Sequence, residues 1–456
     1  MLQDKEARIH LMERQLLDMA LEQKNARDRL LPMFIFHGAS VRSAAECLAI
    51  GFGPDAPSKS TVAQRIAELC EAARPLFLEY FAGRGVDVTC DEIYLSGHPC
   101  LDVVEPYSLA FTGIQPNTEP SEAAWDKLLS TFTELQAAVS DQGRGVSKAL
   151  AKRALRFALD VWHLLRDFAS AVGRLERRAY ERIEETERRR DAFVAALASF
   201  PPRKSVPPEM DELNDSIAKE EEEMSRYDDA SLILGWLYEA TEPVDAQGRV
   251  KVPGQIREDW AAALDLVDHV DADSLYPLER KLRRKVDGAS VLGLQERLGA
   301  IPLPKGWREF SREEMQRLTC LAWRHHHRRG THLLEAPKEA AAWVAERLGS
   351  RFAAEHMEGY CGEIFQLLDR TLRASSAVEC VNSVIRLREG SKRHANPNFV
   401  YLMAWLHNTR RFTEGRRKGL SPAEILGVEL PADGLTMLLA RVEAQRKASQ
   451  AKSPAA

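Results

Sequence analysis

The sequence predicts a mixed α/β core with a five-stranded sheet, interrupted by a large all-α insertion and helix-dominant overall. Three observations predict it. Short β-prone runs are confined to residues 86–159. From about 165 to 370 there is almost no strand signal, only helical periodicity. The helical pattern then resumes in Ser375-Ser376-Ala377-Val378-Glu379-Cys380-Val381-Asn382 and continues beyond it. A chain of 456 residues with 45% apolar content can bury a large core and form two or three domains.

Residues 1–32 predict one helix, with Ile9, Met12, Leu16, Met19 and Leu21 at helical spacing. It either dimerises or packs on its own chain. Residues 33–80 predict a helical DNA-binding region. One short helix, Gly38–Leu48, is followed by the turn-forming run Gly51–Pro57, then by a helix over 60–69 capped by Ser58 or Ser60. Two helices about a glycine-containing turn predict a helix-turn-helix that offers Lys59, Thr61, Gln64 and Arg65 to DNA. A plain helical hairpin would read the same way.

Residues 81–165 carry the first part of the core. Val86–Tyr94, Cys100–Glu105 and Ser108–Gln115 predict an antiparallel meander joined at Ser96–Pro99 and Glu105–Pro106. The loop Asn117–Ser121 ends in an N-cap and a helix over Trp125–Phe132 follows, then a buried-type strand at Leu135–Ser140, a helix at Val146–Lys152 and a fifth strand at Leu155–Leu159. Asp160 opens the next helix.

Residues 166–370 predict the insertion. A charged helix over 171–199 ends at Phe200-Pro201-Pro202, and a second spans 210–241 with the solvated run Glu220–Glu223. Weaker helices follow at 256–270, 273–286, 289–298, 311–327, 337–355 and 358–372. Residues 371–430 return to the core with its last catalytic helix and a basic segment. Residues 431–456 predict a C-terminal helix and a tail that frays after Arg441.

The net charge of −5 hides a local excess: nine Lys and Arg against three acids between Glu379 and Lys418. These cations (Arg386, Arg388, Lys392, Arg393, Arg410, Arg411, Arg416, Arg417 and Lys418) are candidates for phosphate contact. Seven dispersed cysteines without a CxxC pair suit a reducing compartment. No run of 18 apolar residues and no signal-type h-region occurs, so a cytoplasmic, nucleoid-associated location without membrane contact is expected. No glycine-rich phosphate loop occurs, so no nucleotide is expected.

The candidate chemistry rests on three acids. Asp91 ends the run Val86–Cys90 of the first predicted strand, Asp141 ends the run Leu135–Ser140 of the fourth, and Glu379 lies on the late helix. Two carboxylates at strand ends and one on a helix can hold two Mg²⁺ or Mn²⁺ ions, which prefer oxygen ligands. Such a pair activates a water or 3′-hydroxyl and stabilises the leaving oxygen at a phosphodiester. Glu92 and Asp102 rival Asp91, although Asp102 falls inside strand two; Asp160 rivals Asp141. The costly assumption is that 237 residues separate Asp141 from Glu379.

The βββαβαβ succession followed by a helix is that of the RNase H-like fold. Thr89-Cys90-Asp91-Glu92-Ile93-Tyr94, Val139-Ser140-Asp141-Gln142-Gly143-Arg144-Gly145, Asp160-Val161-Trp162-His163 and Glu379-Cys380-Val381-Asn382 resemble the catalytic segments of bacterial insertion-sequence DDE transposases. The stretches Leu406–Phe412 and Arg417–Gly427 resemble that class's common ending. The resemblance covers roughly 40–165 and 375–430. It implies catalytic and metal-binding roles for Asp91, Asp141 and Glu379, with Asn382 beside them and His163 either a helper near the metal site or a satisfied core histidine. It also implies cleavage and strand transfer at the element's terminal repeats by a homo-oligomer holding DNA ends and target DNA. A silent DNA-binding regulator and an RNase H-like nuclease without strand transfer are the alternatives.

Other signals carry less. Arg324–Arg329 with His332 could be a basic DNA-facing surface; zinc is not expected without a CxxC partner. Trp323 or Trp343 could stack on an unpaired base, but core packing is the plainer reading. Arg280–Lys285 is either a phosphate-contact patch or a solvated helix face.

Overall fold

A computed structural model of the chain describes residues 22 and 24–452, apart from residue 96 and the stretches 141–142, 154–155, 200–208, 271, 285–290, 305–310, 349–354, 372–375 and 387–396. The chain is helix-dominant and forms two compact units. Unit one comprises Met1–Ala138, Gly143–Leu155 and Ser376–Ala456; unit two comprises Val139–Gln142 and Arg156–Ser375.

Helices α1 (residues 24–36), α2 (Val41–Phe52) and α3 (Lys59–Tyr80) open unit one. Ser40 and Ser58 accept N-terminal amides of α2 and α3 through their side chains, so Ser58 rather than Ser60 is the cap. Helix α3 runs past the predicted residue 69 because Leu69, Cys70, Ala73, Leu76 and Phe77 continue its buried face. Strands β1 (Asp87–Leu95), β2 (His98–Glu105) and β3 (Ala110–Pro116) form the predicted antiparallel meander. Strand β3 starts two residues late because the Glu105 carboxylate takes the Ser108 amide (2.7 Å) and hydroxyl (2.5 Å) into the turn.

Helix α4 (Glu122–Leu129) starts directly after Ser121, the expected N-cap, whose hydroxyl accepts the Ala124 amide (3.2 Å). Then come β4 (Ala137–Ser140), α5 (Arg144–Lys152) and β5 (Arg156–Leu159). The strand order is β3-β2-β1-β4-β5. Gly145 lets α5 approach the loop before α4, since a Cβ there would meet the Pro120 carbonyl oxygen at 2.1 Å.

Unit one is completed from the far end of the sequence by α14 (Ser376–Arg386), α15 (Phe399–Thr409), α16 (Pro422–Leu426) and α17 (Gly434–Lys452). Val378, Val381 and Ile385 of α14 and the apolar residues of α15 share one core with Ile93, Cys100, Val104, Phe111 and Ile114 of the meander. Polar groups fix α15 to the sheet edge. Asn408 accepts from the Phe111 amide (2.9 Å) and donates to its carbonyl (2.8 Å), and Tyr401 donates to the Ile114 carbonyl (3.1 Å). Helix α17 extends to Lys452, where fraying was expected after Arg441. Leu438 and Val442 are buried on it, and Arg446 bonds Glu68 of α3.

Among the described residues, unit two is helical apart from its share of β4 and β5 and one isolated antiparallel bridge, Val244 with Val250. Helices α6 (Val161–Ser199) and α7 (Glu209–Ala240) pack together, 39 and 32 residues long. The segment from 161 to 199 is one helix rather than two pieces. A buried hydroxyl pair, Thr186 and Ser216 at 3.0 Å, fixes the register of α6 on α7. The predicted break at Phe200–Pro202 lies outside the described residues.

Helices α8 (Pro253–Asp265), α9 (Tyr276–Arg283), α10 (Leu294–Ala300), α11 (Arg312–Arg329), α12 (Ala336–Arg347) and α13 (Glu355–Asp369) follow. The loop before α8 is held by buried cations. Lys251 donates to Asp259 (2.7 Å) and to the Glu239 and Ala240 carbonyls, and Arg324 donates to the Val244 carbonyl (2.6 Å) and to Glu239. Among the described residues no helix is long and apolar enough to cross a membrane.

Replacing Asn408 with Leu keeps the shape but strands both buried groups of Phe111. Urea denaturation should show a loss of about 2–4 kcal/mol, one to two for each stranded group; an unchanged midpoint would mean the edge is held without it.

Candidate catalytic carboxylate site

The β1–β2 hairpin places the first acid. Leu95 pairs with His98, so only Ser96 and Gly97 lie between the strands, and Gly97 has a positive φ of 82°. That register sets Asp91 directly opposite Asp102 and Ile93 opposite Cys100. Opposed residues of an antiparallel pair share a face. Asp91 and Asp102 therefore lie on the face that carries Ile93, Cys100 and Val104, beneath α14. Asp91 is 8% exposed and Asp102 0%. Glu92 pairs with Leu101 and belongs to the opposite face.

Helix α14 reaches down to this face. Asn382 Nδ2 donates to Asp91 Oδ2 at 3.0 Å, across 291 positions of sequence. Asn382 is fully buried, and its Oδ1 has no hydrogen-bond partner among the described residues. Glu379 stands in the backbone of α14, three positions before Asn382; its side chain lies outside the described residues. Asp141, one position beyond the last residue of β4, also lies outside them. Among the described residues no group of three or more His, Cys, Asp and Glu could hold a metal.

His163 and Asp160 meet within unit two. Asp160 caps α6 by accepting the His163 amide (3.2 Å), and its second oxygen contacts His163 Nδ1 at 2.7 Å. This carboxylate makes Nδ1 the donor nitrogen and fixes the imidazole. Asp160 also pushes the Tyr238 hydroxyl upward, after burial.

The predicted DNA-contacting side chains divide in their surroundings. Lys59 and Gln64 are exposed, with Gln64 bonded to Glu68 (3.4 Å). Thr61 contacts the capping Ser58 hydroxyl, and Arg65 is paired to Asp28 at 2.5 Å. Arg410 lies over the Phe36 ring at 5.1 Å. Arg411 donates to the Gly419 carbonyl (2.7 Å) and to Glu424. Arg417 donates to the Tyr107 (2.8 Å) and Pro106 carbonyls and so pins the β2–β3 turn. Arg416 is half-buried and Lys418 exposed. Arg388, Lys392 and Arg393 lie outside the described residues, as does the side chain of Arg386.

The discounted signals have local partners. His327 stacks on Trp323 (4.8 Å) and shares Asp369 with its indole NH. His326 contacts Thr331, and burial lowers its pKa below the ordinary imidazole value. Trp323 is buried in the core of unit two, and Arg347 lies over Trp343 at 4.4 Å. In the Arg280–Lys285 run, Lys281 pairs with Asp167 and Arg283 with Asp265 and Glu279; Lys285 lies outside the described residues.

Two positions carry more than the sequence reading gave them: Asp102, weighed as a rival of Asp91 but set aside as a mid-strand residue, stands opposite it, and Asn408, read only as part of a basic ending, holds both backbone groups of Phe111. The Ser96-Gly97 hairpin turn was the missing signal for Asp102, since a two-residue turn fixes register. No protein-family model matches the chain, and no curated protein matches its sequence.

Burial raises the Cys70, Cys320 and Cys361 thiols to about 12. It raises Cys90 and Cys100 as well, with Asp102 adding to both. Cys47 and Cys380 are exposed. Iodoacetamide on the native protein should modify Cys47 and Cys380 alone by mass spectrometry, and all seven in urea. Native labelling of Cys100 would show that the acid-bearing face beneath α14 opens.

Proposed function

We propose that the protein is a DNA transposase of the DDE class, which cleaves element ends and transfers strands to target DNA. The fold would be an RNase H-like core interrupted by a helical insertion. The βββαβαβα succession and the order β3-β2-β1-β4-β5, with β1 beside β4, support that reading. The observation that carries the function is the hydrogen bond from Asn382 to Asp91. It brings the helix of Glu379 onto the strand of Asp91 despite the intervening helices.

Asp91, Asp141 and Glu379 would hold a pair of Mg²⁺ or Mn²⁺ ions. The fit is supported by a buried carboxylate beside an amide oxygen that has no hydrogen-bond partner among the described residues. Bound there, the ions would supply nucleophile activation and neutralisation of developing negative charge. The chain's own residues orient and exclude. Asn382 fixes the Asp91 carboxylate, α14 keeps water from the β1–β2 face, and His163 is held in one tautomer by Asp160. Lys59, Gln64 and Lys418 are among the exposed groups that would meet DNA, as is Arg411. Arg65, Arg411 and Arg417 have structural partners and would contribute less. A homo-oligomer on DNA would bring the two ends together.

A labelled duplex carrying the sequence that flanks the gene tests this, with Mg²⁺ or Mn²⁺. Wild type should nick at the element end and join it to a second duplex. Asp91→Ala, Asp141→Ala and Glu379→Ala should each lose about 10⁴-fold in rate while still binding the duplex. End binding without cleavage would leave a DNA-binding regulator, and cleavage without joining a nuclease. Cleavage unaffected by Asp91→Ala would overturn the site.

A further inference from the structure

We propose that Asp102 and the side-chain oxygen of Asn382 complete, with Asp91, an oxygen-donor site for one divalent cation of the Mg²⁺ or Mn²⁺ kind. The inference rests on reading Asp91 as a cation-binding carboxylate, and it adds two ligands that the strand-end pattern did not supply.

Three observations converge. First, the hairpin register sets Asp91 and Asp102 directly opposite one another. Side chains so placed have Cβ atoms about 4.5–5.5 Å apart, and like charges there repel. Second, the surroundings are poor in water. Asp102 is 0% exposed and Asp91 8%, and their neighbours along the same face, Ile93, Cys100 and Val104, belong to the apolar core. A cation between two such carboxylates offsets the repulsion and the desolvation together.

Third, Asn382 is aimed at the same place. Its Nδ2 is spent on Asp91, which holds the rest of the amide beside that carboxylate. Its Oδ1 is buried without a hydrogen-bond partner among the described residues. A buried amide oxygen needs a donor or a cation. Two carboxylates and an amide carbonyl are hard oxygen donors, the set that Mg²⁺, Mn²⁺ and Ca²⁺ take. All three residues belong to unit one.

The test uses full-length protein stripped with EDTA, without DNA, titrated with Mn²⁺. Free Mn²⁺ is read by electron paramagnetic resonance and the heat by calorimetry. Wild type should show a tight Mn²⁺ site. Asp102→Asn should weaken it about ten- to a hundredfold and, by removing a like charge, should melt at or above the metal-free wild type. Asn382→Leu should weaken it in the same direction, and it carries the test should Asp102→Asn fail to fold.

Mn²⁺ binding by a folded Asp102→Asn at wild-type strength overturns the proposal. Asp91→Asn separates the two readings. If it abolishes Mn²⁺ binding while Asp102→Asn does not, only the role of Asp102 and Asn382 falls. If Asp91→Asn also binds normally, the proposed metal chemistry of Asp91 falls with it.

Discussion

The two-sided grip of Asn408 on Phe111 is the constraint on which unit one depends. Strand β3 is a sheet edge, and an edge offers unpaired amides and carbonyls to whatever comes near. Helix α15 answers that need with one carboxamide, which pairs both groups of a single residue. With α15 fixed there, Tyr401 can reach Ile114, Trp405 can reach the Gly434 carbonyl, and α14 lies across β1 and β2. The acid face is covered because the edge is.

That cover gives the carboxylates their character. On a bare strand Asp91 would be hydrated. Under α14 it sits among aliphatic groups, with one oxygen committed to an amide. Charge in such a place interacts strongly over short distances. The same property makes the face expensive to assemble around two acids, and it gives the Asn382 amide its importance: it is a neutral donor that stabilises a carboxylate without cancelling its charge.

The fold was legible where local chemistry decides it. The tight meander, the strand after a buried apolar run and the long charged helices all follow from composition and period. Boundaries slipped where a side chain intervened, as at Glu105, which drew Ser108 into the turn, whereas the Ser121 cap of α4 was legible. The C-terminal helix was read too short because its last turns owe their order to Glu68, far away in sequence. The acid of β1 could be picked out from its segment, but its cross-strand partner Asp102 required a register. The basic ending misled in another way. Arg411 and Arg417 look like phosphate ligands in sequence, yet their donors are taken by carbonyls and by Glu424, and tertiary pairing of this kind leaves no local signature.

The separation between the edge strand and its cover also has a tempo. Phe111 leaves the ribosome 297 residues ahead of Asn408. At about 5–20 residues per second, the edge strand and the two acids of β1 and β2 wait roughly 15–60 seconds for the helices that close them. During that interval the meander is an open template for neighbouring nascent chains, so the speed of translation through unit two sets how long each new molecule is vulnerable to mispairing.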